Sequence, residues 1–312
     1  MTPVGARGSG APAECVVNIS EGRDPQVVAA VAAAGGDLVL DTHSDAEHHR
    51  TVLTLAGPLT DVEQAVRSVA AAAVEHIDLT RHVGVHPRLG AVDVVPFVPL
   101  EPPDGTGASW ERVLVARDAY ARWSGDELGV PCFLYGPERS LPDVRRGAFT
   151  TLTPDTGPVT PHPTAGASAV GARTVLIAYN VWLTAAGPDG PTPEEILAAA
   201  RELAAALRRP GLRTLGLAVG PGAQVSCNVV DPGAVPLTEV YDAVARGAAA
   251  QGCEVLRGEL VGLLPVSALA AVPERRWVEL GLRTEDTIEF RLGNRRADRS
   301  TTSPAVPPPT TR

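Results

Sequence analysis

The sequence predicts an α/β (α+β) fold made of two ferredoxin-like β-α-β-β-α-β subdomains with a cleft between them. Three observations predict it. Apolar periodicity alternates between the strand period of two and the helix period of 3.6, and it does so in the same order twice. Helix-start signals, Asp24-Pro25 and Thr192-Pro193-Glu194-Glu195, stand at corresponding places after the first strand of each run. A stretch rich in Gly, Pro and Thr, residues 136–166, has no periodic apolar face and separates the runs.

The elements follow in order. CVVNI (15–19) is strand-like, and DPQVVAAVAAA (24–34) is a helix capped by Asp24 and closed by Gly35-Gly36. DLVLDT (37–42) and TVLTLAG (51–57) are β-rich, the helix 60–77 opens with a Thr60-x-x-Glu63 capping box, and AVDVVPFV (91–98) is the fourth strand. A helix over 109–129 leads to the short strand PCFLY (131–135). The second run reads RTVLIAYNVWL (173–183), helix 192–209, LRTLGLAV (212–219), AQVSCNVVD (223–231), helix 237–252 and EVLRGELVGL (254–263). The expected division is a disordered start over 1–13, subdomains over 14–172 and 173–295, and a disordered polar tail over 296–312.

Composition narrows the function. A chain of 312 residues can bury a sizeable core, and with 4% aromatic residues that core is built from Val, Leu, Ile and Ala. The net charge of −9 disfavours a nucleic-acid or anionic-membrane surface, so an anionic ligand must be met locally by arginines and backbone amides. Cys15, Cys132, Cys227 and Cys253 are widely spaced in apolar surroundings, the pattern of reduced thiols in a cytoplasm. No apolar run reaches the length of a membrane span, and the first residues lack a signal-peptide core.

The stretch RHVGVHPRLG (81–90) concentrates the chemistry. His82 and His86 have i, i+4 spacing, but Gly84 and Pro87 disfavour the helix that a paired zinc site would need. A looser metal site would recruit DTHSDAEHHR (41–50), though a polar turn has the same composition. A catalytic loop is the third reading: its glycines allow close approach of a ligand, its arginines suit a carboxylate, and a histidine there serves as acid or base near neutrality. The residues alone leave these readings open. In PHPTAGASAVGAR (161–173) a plain Gly-rich turn is the ordinary interpretation, and in 223–231 strict alternation puts Gln224, Ser226 and Asn228 on one face.

NISEGRD (18–24), RTVLTLAGP (50–58), HVGVHPRLGAVDVVPFVP (82–99), HPTAGASAVGARTVLIAYN (162–180), AQVSCNVVD (223–231) and ELVGLLPVSAL (259–269), in this order, resemble the formiminotransferase domain family from about Glu14 to Leu292. The resemblance implies two α/β subdomains in a cytoplasmic homodimer that moves a formimidoyl group from N-formimidoyl-L-glutamate to tetrahydrofolate, the co-substrate, within histidine degradation and one-carbon metabolism. No metal, nucleic acid or membrane is implied. Some relatives carry a further cyclodeaminase domain; the Pro/Thr tail here leads to the expectation of the transferase step alone.

By the same resemblance His86 is the catalytic histidine; the chemistry of the neighbouring residue types makes His82, Arg88 and Asp93 its support, with Arg88 or Arg81 suited to the glutamate carboxylates and Asp93 to orienting a histidine. The folate segment falls on Gly157, Pro158, Val159, Thr160, Pro161, His162, Pro163, Thr164, Ala165 and Gly166. Substrate-contact candidates are Asn18, His43, Arg81, Asn180, Gln224 and Asn228. The chain departs from the family pattern at Trp182, where a polar amide is usual, at His43, where an aspartate is usual, and in a shorter 136–157 loop. These departures keep two other functions in view: formyl transfer between glutamate and a folate, or a folate-binding protein without catalysis.

Overall fold

A computed structural model of the protein describes residues 11–83, 88–100 and 108–301, with side chains to residue 294. The first half holds β1 (Pro12–Ile19), α1 (Pro25–Ala34), β2 (Val39–Asp45), β3 (Arg50–Pro58), α2 (Leu59–His76) and β4 (Val92–Pro99). Asp24 caps α1 by accepting from the amides of Gln26 and Val27 at 2.9 and 3.3 Å. The strands pair in the order β2-β3-β1-β4, antiparallel throughout.

The expected Thr60-x-x-Glu63 box does not cap α2. The helix starts one residue earlier, at Leu59 after Pro58, with no side-chain cap, and Glu63 instead pairs with Arg67 at 2.5 Å. Burial of Leu59 in the core favours the earlier start over one capping bond.

The first sheet then gains two strands. After α3 (Trp110–Glu127) come β5 (Cys132–Tyr135), α4 (Leu141–Gly147) and β6 (Ser168–Ala172). β6 inserts between β4 and β5, parallel to both, to give β2-β3-β1-β4-β6-β5. Two elements thus lie where the sequence suggested loop and Gly-rich turn. β6, Ser-Ala-Val-Gly-Ala, is buried on both faces, so it shows no alternation to read. The single-box helix α4 is too short for a period, although Ser140 and Asp143 form a reciprocal capping box.

The second half repeats the first: β7 (Ile177–Ala185), α5 (Pro193–Leu207), β8 (Leu212–Val219), β9 (Gly222–Val229), α6 (Leu237–Ala249) and β10 (Cys253–Val261), with strand order β10-β7-β9-β8. The Thr192/Glu195 capping box forms as expected. Val225, Cys227 and Val229 point into the core with Tyr179 and Val181, while Gln224, Ser226 and Asn228 share the opposite face. All four cysteines are buried and free.

Short helices α7 (Val266–Ala270) and α8 (Trp277–Leu280) lead to α9 (Ile288–Thr301), so the chain is helical past Arg296, where a disordered tail was expected. α9 lies on the face of β2 and β3 away from α1 and α2, closing a small apolar cluster of Leu40, Ala56, Leu263 and Ile288. At the other contact between the halves, Glu47 accepts from the amide of Gly220 at 2.9 Å and His48 meets Gln224 at 3.4 Å.

Candidate active site

The site grows from the end of β1 and the starts of β3 and β4. Ser20, just past β1, donates its amide to Ala91 at 2.8 Å and its hydroxyl to Gly90 at 2.7 Å, which fixes the exit of the histidine loop against the central strand. The turn between β2 and β3 folds over the same place. His49 takes a left-handed backbone, φ 51°, and its Nδ1 lies 3.3 Å from Glu21 Oε1. Its ring stacks on His82 with centroids 3.9 Å apart, and His82 Nε2 is 3.2 Å from the His49 carbonyl. Burial lowers the His49 pKa against the pull of Glu21, favouring the neutral ring. His82 also contacts Arg88, and burial lowers the Arg88 pKa while Asp93 opposes that shift.

Beneath this pair Arg50 donates to Asn18 Oδ1, while the Asn18 amide donates to the Val16 carbonyl at 2.9 Å. Burial brings Arg50 down to about 10 despite the nearby Asp93. Asp93 is itself buried, unlike the usual strand aspartate, and accepts from the Leu89 amide at 2.7 Å and Arg145 at 2.6 Å. Among the described residues its carboxylate holds the loop backbone and an arginine rather than a histidine. His86, with Gly84, Val85 and Pro87, lies outside the described residues.

The two segments singled out in the sequence come together here. Leu79 donates to the Thr164 carbonyl at 2.8 Å, Ala91 to Ala165 at 2.9 Å and Ala167 to Leu89 at 3.0 Å, so both sides of the histidine loop are stitched to residues 164–167. His162 and Gly166 exchange backbone hydrogen bonds, and the His162 Nδ1 accepts from the amides of Ala165 and Thr164 at 3.0 and 3.3 Å, so this ring shapes its own turn. Gly166 has φ 69°, and a Cβ there would lie 2.3 Å from the Leu89 carbonyl, so the approach requires glycine. Gly157, Pro158, Val159, Thr160 and Pro161 are exposed beside the packed turn.

The remaining candidates separate. Arg81 is exposed on the turn before the loop, and Asn228 is exposed on β9. Gln224 is buried between the halves against His48. His43 lines a cleft of about 310 Å3 with Asp41 from the first half and Arg257, Glu259, Arg283, Asp286 and Arg291 from the second. Asn180 stands behind that wall, donating to Glu259 at 3.0 Å. The acidic and histidine run 41–50 is pulled apart: His48 pairs with Asp45 at 2.6 Å, His49 with Glu21, and His43 faces the cleft. Burial raises the Asp45 carboxyl, but the bonds from His48 outweigh it and bring it to about 2. Among the described residues no group of three or more His, Cys, Asp or Glu is arranged to hold a metal ion, and no helix is long and apolar enough to cross a membrane.

Glu21, His49, Arg50 and Arg145 were not among the expected site residues. Glu21 and Arg50 lie inside the quoted phrases NISEGRD and RTVLTLAGP and His49 immediately precedes the second, whereas Arg145 sits in the unpatterned stretch and gave no signal.

Residues 12–173 match the formiminotransferase domain, N-terminal subdomain, and residues 194–277 match the formiminotransferase domain. A glutamate formimidoyltransferase of Streptococcus pyogenes serotype M1 is 35% identical over 287 residues, covering 84% of this chain and 91% of that protein. A glutamate formimidoyltransferase of Thermoplasma acidophilum is 34% identical, covering 83% and 90%. The formimidoyltransferase-cyclodeaminase of Gallus gallus is 35% identical over 84% of this chain, which spans about half (51%) of that longer relative. The doubled fold, the histidine and arginine loop and these matches define a one-carbon group transferase. The chain belongs to the formiminotransferase domain family.

Proposed function

We propose that the chain transfers the formimidoyl group of N-formimidoyl-L-glutamate to tetrahydrofolate, giving 5-formimidoyltetrahydrofolate and L-glutamate, as a step of histidine degradation and one-carbon metabolism. The observation that carries this is the stitching of the histidine loop to residues 164–167, which joins the expected catalytic segment to the expected folate segment through three backbone hydrogen bonds. The resemblance supplies the roles. The folate ring amine attacks the amidine carbon; His86 accepts the proton this nitrogen sheds and returns one to the glutamate nitrogen as the carbon–nitrogen bond to glutamate breaks. Acid–base help of this kind contributes roughly 10²–10⁴ in rate.

Residues 14–172 and 173–295 act in this reading as the two subdomains. His82, stacked on His49 and touching Arg88, gives the loop a fixed base. Asp93 and Arg145 hold its far side at Leu89. A cytoplasmic homodimer is the assembly implied by the resemblance, and light scattering after gel filtration tests the dimer.

The decisive experiment offers the purified protein tetrahydrofolate with either N-formimidoyl-L-glutamate or N-formyl-L-glutamate. Preferential turnover of the formimidoyl donor supports the proposal. Turnover of the formyl donor alone identifies a formyltransferase, and folate binding without turnover of either identifies a binding protein.

A further inference from the structure

Trp182 is the departure from the family pattern that the second sheet makes most visible. Its neighbours form a compact group across β7 and β10, where Trp182 pairs in register with Arg257 and Asn180 with Glu259. The indole N–H donates to Glu259 Oε2 at 2.9 Å, and the Asn180 amide donates to the same oxygen at 3.0 Å. The Arg257 guanidinium lies over the indole, its Cζ 4.0 Å from the ring centroid, with its Nη2 3.7 Å from the other oxygen of Glu259. Stacking of this kind holds a planar cation without consuming its in-plane N–H donors.

Arg257 and Glu259 line the cleft that His43 and Asp41 close from the first half. The cleft's other two arginines are engaged: Arg283 donates to Asp286 at 3.0 Å, and Arg291 donates to the Glu285 carbonyl at 2.6 Å and reaches Asp41 at 3.8 Å. Arg257 is half exposed, and no hydrogen bond from it to another described residue is present. Held between Trp182 and Glu259 and half exposed at the cleft, its guanidinium keeps N–H donors for a carboxylate, which a guanidinium takes bidentately. The volume, about 310 Å3, suits an amino-acid-sized group. β2 runs from His43 in this cleft to the turn that presses His49 against His82, so one strand connects the cleft to the histidine loop.

We infer that Arg257 is a specificity-determining residue that binds a glutamyl carboxylate in this cleft, and that Trp182, with Glu259, is the positioning residue that holds its guanidinium in the binding orientation. This rests on the proposed transfer reaction, in which both substrates carry a glutamyl group, one on the donor and one at the tail of the folate. Asn180 acts through Glu259 rather than on the substrate directly.

The test is steady-state kinetics of Arg257→Ala, Arg257→Lys, Trp182→Phe and Trp182→Ala. The donor is varied at saturating tetrahydrofolate, and tetrahydrofolate and tetrahydropteroate, which lacks the glutamate, are varied at saturating donor. Loss of a charge-assisted pair predicts a rise in KM of about ten- to a hundredfold in Arg257→Ala, with most of the loss in KM rather than kcat. If the donor's carboxylate is bound, its KM rises alone; if the folate tail is bound, the KM for tetrahydrofolate rises toward that for tetrahydropteroate. Trp182→Phe, which keeps a plate for the guanidinium, retains more of the effect than Trp182→Ala, and Arg257→Lys falls between wild type and Arg257→Ala. KM values for both glutamyl substrates within twofold of wild type in Arg257→Ala overturn the inference. If wild type turns over no donor, the transfer reading fails first. Calorimetric titration of wild type and Arg257→Ala with L-glutamate and with tetrahydrofolate then decides separately, and equal affinities for both probes overturn the site. Arg257 is half exposed, so its variants fold, and matched unfolding midpoints verify this.

Discussion

Glu14 lies on β1 opposite Ala56 and Val98 of the flanking strands and is 2% exposed. The apolar cluster of Leu40, Ala56, Leu263 and Ile288 lies on this side of the sheet, and Glu289 of α9 adds a like charge. Burial raises its carboxyl from the ordinary 4.5 to about 7, with Arg173 pulling the other way and Glu289 adding to the rise. The folded protein therefore holds a proton that the unfolded chain releases above about pH 4.5. Stability linked to this proton is fullest below pH 4.5 and is lost as pH rises through about 7.

Replacing the carboxyl by its neutral near-isostere, Glu14→Gln, removes that dependence. The displacement from 4.5 to about 7 corresponds to about 3 kcal/mol at alkaline pH, of which about 2–3 kcal/mol develops between pH 5 and 8.5. Some is returned because the amide brings polar atoms into the same apolar pocket, so a net gain of about 1–2 kcal/mol at pH 8.5 is expected. Thermal unfolding followed by circular dichroism at pH 5 and pH 8.5 reads this as a midpoint about 1.5–3 °C above wild type at the higher pH and close to it at the lower. A midpoint difference that is the same at both pH values refutes the reasoning, because it assigns the effect to packing rather than to the proton.

Other expectations follow from the same geometry. Gly166→Ala puts a Cβ 2.3 Å from the Leu89 carbonyl on a backbone with φ 69°, so it costs at least ~2 kcal/mol and raises the KM for tetrahydrofolate, read by thermal unfolding and by the transfer assay. Arg145→Ala removes the arginine that donates to the buried Asp93 and loosens Leu89; a loss of about 2–3 kcal/mol in urea unfolding is expected, and Asp93→Asn in the same background restores part of it. In the cleft, Arg257→Ala raises the KM for one glutamyl substrate while leaving the unfolding midpoint near that of wild type.

Much of the fold is legible from local chemistry. Asp24-Pro25 and Thr192-Pro193 with Glu195 mark helix starts because their side chains satisfy amides that nothing else reaches. The alternation in 223–231 gives the buried and polar faces of β9 for the same reason that any half-buried strand alternates. β6 is illegible because a parallel strand covered on both sides needs only small, apolar residues and carries no period. Thr60 misleads because the pull of the core on Leu59 exceeds the worth of one cap.

The site is legible in its loops and not in its joints. The histidine loop stands out by composition, whereas residues 162–166 read as a plain Gly-rich turn and enter only through the resemblance. Their docking depends on tertiary hydrogen bonds between segments about 75–85 residues apart, which no local pattern encodes. The pairing of Arg145 with Asp93 and of Trp182 with Arg257 is hidden in the same way. The histidine-rich run 41–50 shows the opposite failure. Its composition suggests one cluster, but the β2–β3 turn aims His43, His48 and His49 at three different partners.

The most direct test of the central claim is the rate of 5-formimidoyltetrahydrofolate formation from N-formimidoyl-L-glutamate by wild type and by His86→Ala, with tetrahydrofolate binding measured on both. Turnover in wild type, a fall of about 10²–10⁴ in kcat for the variant and retained folate binding are the results expected of a histidine that moves protons. Wild-type turnover that survives unchanged in His86→Ala contradicts the account.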